Sequence, residues 1–498
     1  PFALCDTLVV HAAMKMGKTK ALRNYINTYF PQDAISPQVI RFVSFRQTFG
    51  ANIKAAFPDF VLYSDVRDQL LAQPRLIIQV ESLHRLEIDS DPPDLLILDE
   101  CESIFEQFSS GLIRNFAQAS AKFIYMLKNA RHVICMDANI SSRTENILRA
   151  LRPDKPAQYH HNTHKNATDY TYKITGSISL WAHMLDNAIT AGKRVAVPTS
   201  TLNTANAIAD IVRRRHPTTN LIVYSSETEQ AVKSAHFSNV NVEWCKYDVV
   251  IYTPTLTAGV SFEAKHFDYV YGYFTDRSAC DLSCIQMLGR IRDVAEREIV
   301  LCIVSTGAQL PVDADEIVQL YYDRRSALFT TGSAASAPDE PTGISIEYSP
   351  TGQLELVKSP YFHIWVENVR ARNLSRNNFA TRLISMITPT AARVRTARAD
   401  PDQNAAVVAM REEIIEASQR DLDSKHAAIA AAADIDDEEV AELRGALESG
   451  NGDVPTAAVN ALRKHALRSH YGYGGPVTQD WVRVYGGKRM RDIYRNLC

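Results

Sequence analysis

The sequence predicts an α/β protein, with two parallel-sheet domains in tandem followed by a mainly helical region. Three observations carry that prediction. Short apolar runs alternate with helix-like stretches from the N-terminus, the alternation restarts after residue 160, and it stops near 330. Runs that are apolar on both faces and separated by helices fit strands of a parallel sheet covered on both sides.

The first set of strands is DTLVVH (6–11), VIRFVSF (39–45), RLIIQV (75–80), DLLILD (94–99) and RHVICMD (131–137). A helix is expected from Lys18. The second set is RVAVPTS (194–200), NLIVYSS (220–226), YDVVIYT (247–253), FDYVYGYF (267–274) and EIVLCIVS (298–305). The join lies at PDKPAQYHHNTHKN, where His160, His161 and His164 read as a solvated loop. Domain boundaries follow: 1–158, 159–329, a linker and hairpin over 330–358, and a helical domain over 359–498. Within the linker region, TTGSAASAPDEPTG (330–343) has linker composition, and GISIEYSPTGQLELV reads as a hairpin turning at Pro350–Gly352.

A chain of 498 residues with 46% hydrophobic and 22% charged residues has the composition of a globular protein. No apolar run approaches the ~18 residues of a membrane span. The start at Pro1, without signal-peptide order, reads as a piece excised from a longer protein. Eight scattered cysteines without a CxxC pair point away from disulfides and metal clusters and towards a reducing, intracellular compartment. The net charge of −3 makes no global case for nucleic acid, but its distribution is uneven. Seven arginines and no acid lie between Arg370 and Arg398, and residues 401–450 carry 13 Asp/Glu against four Lys/Arg. The last 38 residues carry eight Lys/Arg against two Asp. The acidic, Ala-rich stretch 401–450 is expected to be a solvated helical hairpin. In the tail, Tyr471, Tyr473, Trp481, Tyr485 and Tyr494 interleave with cations. That pattern suits single-strand stacking, and equally the packing of a small core.

The opening motif is HAAMKMGKTK (11–20). Gly17, Lys18 and Thr19 fit the end of a phosphate loop, but Ala12 stands where the first glycine usually does. The motif lies between a strand and a helix, where amide groups and the helix dipole hold phosphate. Lys18 would reach the β- and γ-phosphates and Thr19 would bind Mg²⁺; a lysine opening a surface helix is the alternative. PPDLLILDECESIF supplies the acids: Asp99 to hold the metal and Glu100 to orient and deprotonate a water, unless Asp99 merely caps the next helix. TPTLTAGVSFE (253–263) and CIQMLGRIRD (284–293) follow in the second domain, where Gln286, Gly289, Arg290 and Arg292 are compactly spaced. The fixed charge of arginine suits a transferring phosphate.

The order GKT, DECE, TPTLTAGVSF and QMLGRIR resembles motifs I, II, V and VI of superfamily 2 helicases. It is most similar to the helicase of herpesvirus origin-binding proteins and related large-virus replication proteins. FVSFRQTF (42–49), IIQVESLHRL (77–86), CMDANIS (135–141) and VAVPTSTLNTANAIADIV (195–212) fall at the Ia, Ib, III and IV positions. The resemblance covers about residues 6–305. It implies two RecA-like domains with ATP between them and an ATPase stimulated by nucleic acid, acting as a helicase or translocase in viral DNA replication. Met14, Lys15, Met16, Gly17, Lys18, Thr19, Lys20 and Gly259 would then contact ATP, and Thr19 and Asp99 the Mg²⁺. Lys18, Asp99, Glu100, Gln286, Arg290 and Arg292 would be catalytic, with Gln286 and Gly259 sensing closure. Ser44, Arg46, Gln47, Ser82, His84, Arg85, Thr199, Ser200, Thr255 and Thr257 would face single-stranded nucleic acid, DNA before RNA. Other replication proteins, or further domains of a longer chain, are the implied partners.

Two departures stand out. Ala13 and Lys15 replace a proline and a glycine of relatives, and the second motif VI arginine comes one residue early. They leave open which arginine is the finger. They also support a rival from another class, a nucleic-acid-binding or assembly module with weak or lost ATPase. An RNA helicase is a third reading.

Overall fold

The computed structural model describes residues 3–13, 16–33, 38–45, 47–66, 70–87, 90–110, 113, 115–164, 168–255, 260–330, 343–348, 354–449, 454–487 and 490–491. These residues group into two compact units. The first joins the chain up to 167 with 305–382, and the second joins 168–256 and 260–304 with the chain from 383.

In the first unit, strands β1 (Thr7–Ala12), β2 (Ile40–Ser44), β3 (Val61–Leu62), β4 (Arg75–Gln79), β5 (Leu95–Asp99), β6 (His132–Asp137) and β7 (Ala157–Asn162) form one sheet in the order β3-β4-β2-β5-β6-β1-β7. Every pairing in it is parallel. Helices α1 (Lys18–Tyr29), α2 (Gln47–Ala56), α3 (Cys101–Gln107), α4 (Phe116–Asn129) and α5 (Ser142–Leu151) connect the strands. The central strands are buried along their length except at Asp99, the half-buried last residue of β5, as their two-sided apolar runs require. On one face Leu8, Val10, Ile97 and Phe42 pack with Leu22 and Ile26 of α1. On the other, Val9, Val43 and Leu98 pack with Ile104, Phe105, Phe123 and Ile147.

The second unit repeats the plan. Strands β8 (Thr171–Thr175), β9 (Val195–Pro198), β10 (Leu221–Tyr224), β11 (Val249–Tyr252), β12 (Tyr269–Thr275) and β13 (Glu298–Val304) alternate with α6 (Ile178–Thr190), α7 (Leu202–Arg215), α8 (Gln230–Ser238), α9 (Val240–Glu243) and α10 (Asp281–Leu288). After β13 come α11 (Ala314–Thr330), the antiparallel hairpin β14 (Ile344–Tyr348) and β15 (Leu354–Lys358), α12 (Phe362–Asn377) and α13 (Phe379–Ile387). The expected hairpin turn and most of the linker lie outside the described residues. The chain ends with β16 (Arg393–Thr396), α14 (Asn404–Ala431), α15 (Asp437–Ser449), α16 (Thr456–Tyr471) and α17 (Gln479–Tyr485). The second sheet runs β10-β11-β9-β12-β13-β8-β16, again all parallel. Two tandem RecA-like parallel-sheet folds with a helical C-terminal region are therefore present.

Three features depart from the sequence reading. The helical part expected as a domain of its own from 359 is divided between the two units. Tyr361, Phe362, Ile364, Trp365 and Val366 join the core of the first unit, because such residues gain about 1.5–3 kcal/mol each on burial and the sheet offers a matching apolar face. The acidic hairpin is not simply solvated either. Met410 and Ala417 of α14 are buried among Trp181, Leu185, Ile208 and Ile211 of α6 and α7. The histidine segment is strand β7 rather than a loop, although His160, His161 and His164 are exposed as expected. It and the arginine-bearing β16 are exposed edge strands, held by backbone pairing and so without an apolar signature.

Candidate nucleotide site

The site in the first unit begins where β1 ends. Met14 and Lys15 lie outside the described residues, while Met16 is half-buried against the core beside α1. Gly17 has φ 78° and ψ 21°, a left-handed conformation, and a Cβ there would meet no atom within 4 Å. Conformation, not crowding, is what favours glycine here. Gly17 caps α1, whose first turn carries no acid and no capping side chain among the described residues. The amides of Lys18, Thr19 and Lys20 therefore point out of a positive helix end, with Thr19 and Lys20 exposed. Lys18 folds back over the loop, its Nζ donating to the carbonyls of Ala12 at 2.7 Å and Ala13 at 3.4 Å.

Acids face this loop from the ends of neighbouring strands. Asp99 closes β5, and Met136 lies beside it on β6. Burial pushes the Asp99 carboxyl up to about 6, and the charge of Asp137 adds to the rise, against opposing help from Lys18 and the Glu100 N–H. Asp137, at the end of β6, is pushed up to about 7 by burial and by the charges of Glu102 and Glu100. Its two oxygens accept from the amides of Glu102 (3.1 Å) and Asn139 (2.9 Å). Glu100 has φ 57° and ψ 50°, a left-handed conformation that costs a non-glycine residue about 1–3 kcal/mol. Its amide donates to Asp99 Oδ1 at 3.1 Å. Such strain clusters at functional sites, and here it sets the glutamate apart from the helix it opens.

Behind these acids lies a buried network. Glu102, the last residue of DECE, accepts from Ser141 N and Oγ (2.8 Å each), Thr144 Oγ1 (2.6 Å) and Arg143 Nε (2.9 Å). Asp137, Glu102 and Arg143 were not singled out from the sequence. Asp137 had a readable signal, since it ends a strand beside β5 as Asp99 does.

These residues suit a nucleoside triphosphate with Mg²⁺. Among the described residues no group of three or more His, Cys, Asp or Glu could hold a metal. Mg²⁺ commonly takes one or two carboxylates and completes its shell with phosphate and water. Asp99, with excess negative charge around it, and Thr19 could serve as those protein ligands, and the α1 amides with Lys18 could hold phosphate oxygens.

In the second unit, Arg290 and Arg292 follow α10 on a strap that pairs with 260–262. The amide of Phe262 donates to Arg290 O (2.8 Å) and that of Arg292 to Phe262 O (2.9 Å). Arg290 Nη1 donates to Val260 O (3.1 Å) and Arg292 Nε to Ser261 Oγ (2.8 Å). Motifs V and VI are thus brought together. Burial pulls the Arg292 guanidinium below its ordinary range. Gln286 is half-buried on α10, and Gly289 ends that helix. Thr257 and Gly259 lie outside the described residues.

The proposed nucleic-acid contacts divide. Ser44 is fully buried, as are Thr199 and Ser200 apart from a trace of exposure at Ser200. Thr199 Oγ1 donates to Thr201 O (2.8 Å), and Ser200 Oγ accepts from Thr275 N (2.9 Å). The Thr199 and Ser200 hydroxyls are thus bonded inside the second unit, whereas the Ser44 hydroxyl is buried without a hydrogen-bond partner among the described residues. Thr255 is exposed and bonded to Thr253 at 2.7 Å. Ser82, His84 and Arg85 lie on a 3₁₀ helix, Val80–Arg85, with Arg85 exposed and donating to Val66 O (3.0 Å). Arg46 and the side chain of Gln47 lie outside the described residues. In the tail, Trp481 stacks on Tyr473 at 4.8 Å and meets Tyr471 and Tyr485 at 5.8 and 5.1 Å. Nearby cations are engaged: Lys464 and Arg468 both bind Asp434 (2.9 Å), and Arg483 binds Asp480 (2.8 Å). The rings therefore pack largely on one another. Tyr494 lies outside the described residues.

Among known proteins, the chain is 42% identical over 391 residues to a protein named for a helicase/primase complex of African swine fever virus (isolate Pig/Kenya/KEN-50/1950), covering 78% of this chain and 36% of the relative. It is 31% identical over 307 residues to the replication origin-binding protein of human herpesvirus 6A (strain Uganda-1102), covering 59% of this chain and 37% of that one. The chain thus spans about a third of the length of these relatives. Of solved structures, S. cerevisiae Dbp5 bound to RNA and ADP BeF3 aligns at a TM-score of 0.42 with 11% identity, over 60% of this chain and 79% of that one. Residues 5–172 and 158–312 match the family described as origin of replication binding protein, and the chain belongs to that family.

Proposed function

We propose that this chain is the ATP-hydrolysing helicase or translocase part of a DNA-replication protein, acting on single-stranded DNA. What carries the reading is the open, glycine-capped end of α1 with Lys18, facing the raised-pKa acids Asp99 and Asp137. A bound Mg²⁺ would neutralise phosphate charge. The amides of α1 and the Lys18 ammonium bind and orient the β- and γ-phosphates. Asp99 and Thr19 hold the metal side of the nucleotide. Glu100 accepts the proton of the attacking water as its oxygen bonds to the γ-phosphorus and the bond to the β–γ bridging oxygen breaks, yielding ADP and phosphate. Arg290 or Arg292 supplies the cation for the γ-phosphate charge during turnover, and Gln286 senses closure. The viral relatives' names, a helicase/primase complex protein and an origin-binding protein, support DNA over RNA and further replication proteins as partners.

Steady-state ATP hydrolysis, measured alone and with single-stranded DNA or RNA, tests this. Stimulation by DNA is expected. Nucleic-acid binding without any hydrolysis would select the assembly-module reading, and stimulation by RNA alone would select the RNA helicase.

A further inference from the structure

The helix α12 is far from the motifs in sequence, yet its polar side chains end among them. Asn368 is 3% exposed and makes three hydrogen bonds inside the first unit. Its Oδ1 accepts from Arg143 Nη1 at 3.1 Å. Its Nδ2 donates to Phe105 O at 2.7 Å and to Ser109 Oγ at 2.9 Å. About two turns away, at the entry to α12, Tyr361 OH donates to Phe108 O at 3.0 Å.

Phe105 lies in α3, the seven-residue helix that starts directly after Asp99 and Glu100. The last carbonyls of a helix lack regular in-helix donors, and the end of α3 closes with tighter turns, the Phe108 amide donating to Phe105 O at a long 3.3 Å. Asn368 adds a second, shorter donor to Phe105 O, and with its other atom fixes Arg143. Arg143 in turn grips Glu102 through its carboxylate and its backbone carbonyl, the latter at 2.8 Å. An apolar side chain would fill the same space without desolvating an amide. The three bonds give direction as well as packing.

We infer that Asn368 is a positioning residue for the nucleotide chemistry: by clamping α3 and Arg143 it fixes where the Glu100 and Asp99 carboxylates stand. This deepens the proposed function and rests on it. Displacement of a catalytic group by about 1 Å can cost on the order of 100-fold in rate, so a modest rotation of α3 would be felt in turnover before binding.

The experiment uses Asn368→Leu, with Glu367→Gln as control. Glu367 is the neighbouring buried residue, and its Oε1 accepts from Asn146 on α5 at 3.0 Å. For N368L we expect kcat for ATP to fall about tenfold, mant-ADP affinity to stay within twofold, and hydrogen–deuterium exchange across α3 to quicken. E367Q should keep wild-type kcat and α3 protection. Asn368→Asp, which keeps shape and the acceptor but loses the donor to Phe105, gives the same reading should N368L not fold. Unchanged kcat with unchanged α3 exchange would overturn the proposal, as would equal loss of kcat and mant-ADP binding. A wild-type chain that neither hydrolyses ATP nor binds mant-ADP would defeat the proposed function, while the exchange of α3 in N368L would still decide whether Asn368 clamps that helix.

Discussion

Arg143 and Glu102 form an ion pair at 2.9 Å with side chains only 5% and 4% exposed. Every oxygen of Glu102 is bonded, which is what makes a buried carboxylate tolerable. Removing one partner leaves an uncompensated charge. Arg143→Met should destabilise the first unit by about 3–5 kcal/mol in urea unfolding. Glu102→Gln combined with Arg143→Met should recover a large part of that loss. Additive losses would mean the pair is not coupled.

Lys18→Ala should lower ATP turnover by at least about 100-fold, the scale of losing one transition-state charge partner. Circular dichroism should be unchanged, because Lys18 lies at the surface end of α1 and bonds only loop carbonyls among the described residues. A mutant that keeps most of its turnover refutes the role of the loop.

The two acids of the DECE motif should separate. Glu100→Gln is expected to bind Mg²⁺ and ATP but hydrolyse very slowly, accumulating a nucleotide-bound state. Asp99→Asn should instead weaken the Mg²⁺ dependence of nucleotide binding. Equal, mild defects in both would reduce the pair to structural caps.

A pH dependence follows from the same acids. Asp99 and Asp137 are raised from 3.8 to about 6 and about 7. Between about pH 4 and 7 the folded chain therefore binds more protons than the unfolded one, and their contribution to stability falls as pH rises. In EDTA, Asp99→Asn should stabilise the protein at pH 8 by about 1–2 kcal/mol, discounted from the full shift because Asp99 keeps some solvent contact. Near pH 4 the gain should vanish. Thermal melts at the two pH values measure it, and equal gains at both would exclude a titrating Asp99.

Truncation after residue 335 removes α12 with its buried Phe362 and Trp365, and α14 with its buried Met410. The shortened chain is expected to expose both apolar faces, bind a hydrophobic dye and lose cooperative unfolding. Retention of a wild-type melting temperature would show that neither helix completes a core.

The strands with two-sided apolar runs, and the GKT and DECE motifs at their ends, could be read from residues alone because burial and phosphate chemistry both leave local patterns. Asp99 and Glu100 follow directly from the run that precedes them. Asn368 and Arg143 could not be found that way, since their meaning lies in a contact between α12 and α5 across more than two hundred residues. The edge strands β7 and β16 escaped for a different reason. Backbone pairing asks nothing of side chains that face water, so Arg393 and His161 look like loop residues. Thr199 and Ser200 show the reverse pattern: a motif hydroxyl suggests an outward contact, and here both are hydrogen-bonded within the second unit.

The order in which the chain is made bears on α12 and β16. Strand β7 closes the first sheet by Asn162, but the helix that covers one of its faces is Phe362–Asn377. On a ribosome adding about 5–20 residues per second, roughly two hundred further residues take on the order of 10–40 s. Throughout that interval the nascent first unit carries an apolar face around Phe105 and Phe108 whose cover has yet to be synthesised. The second sheet likewise waits for Arg393–Thr396 to add its last strand. The first unit is completed only after strands β8 to β13 and the helices between them have been translated, and the second only after the first, which ties the maturation of the site to the last third of the message.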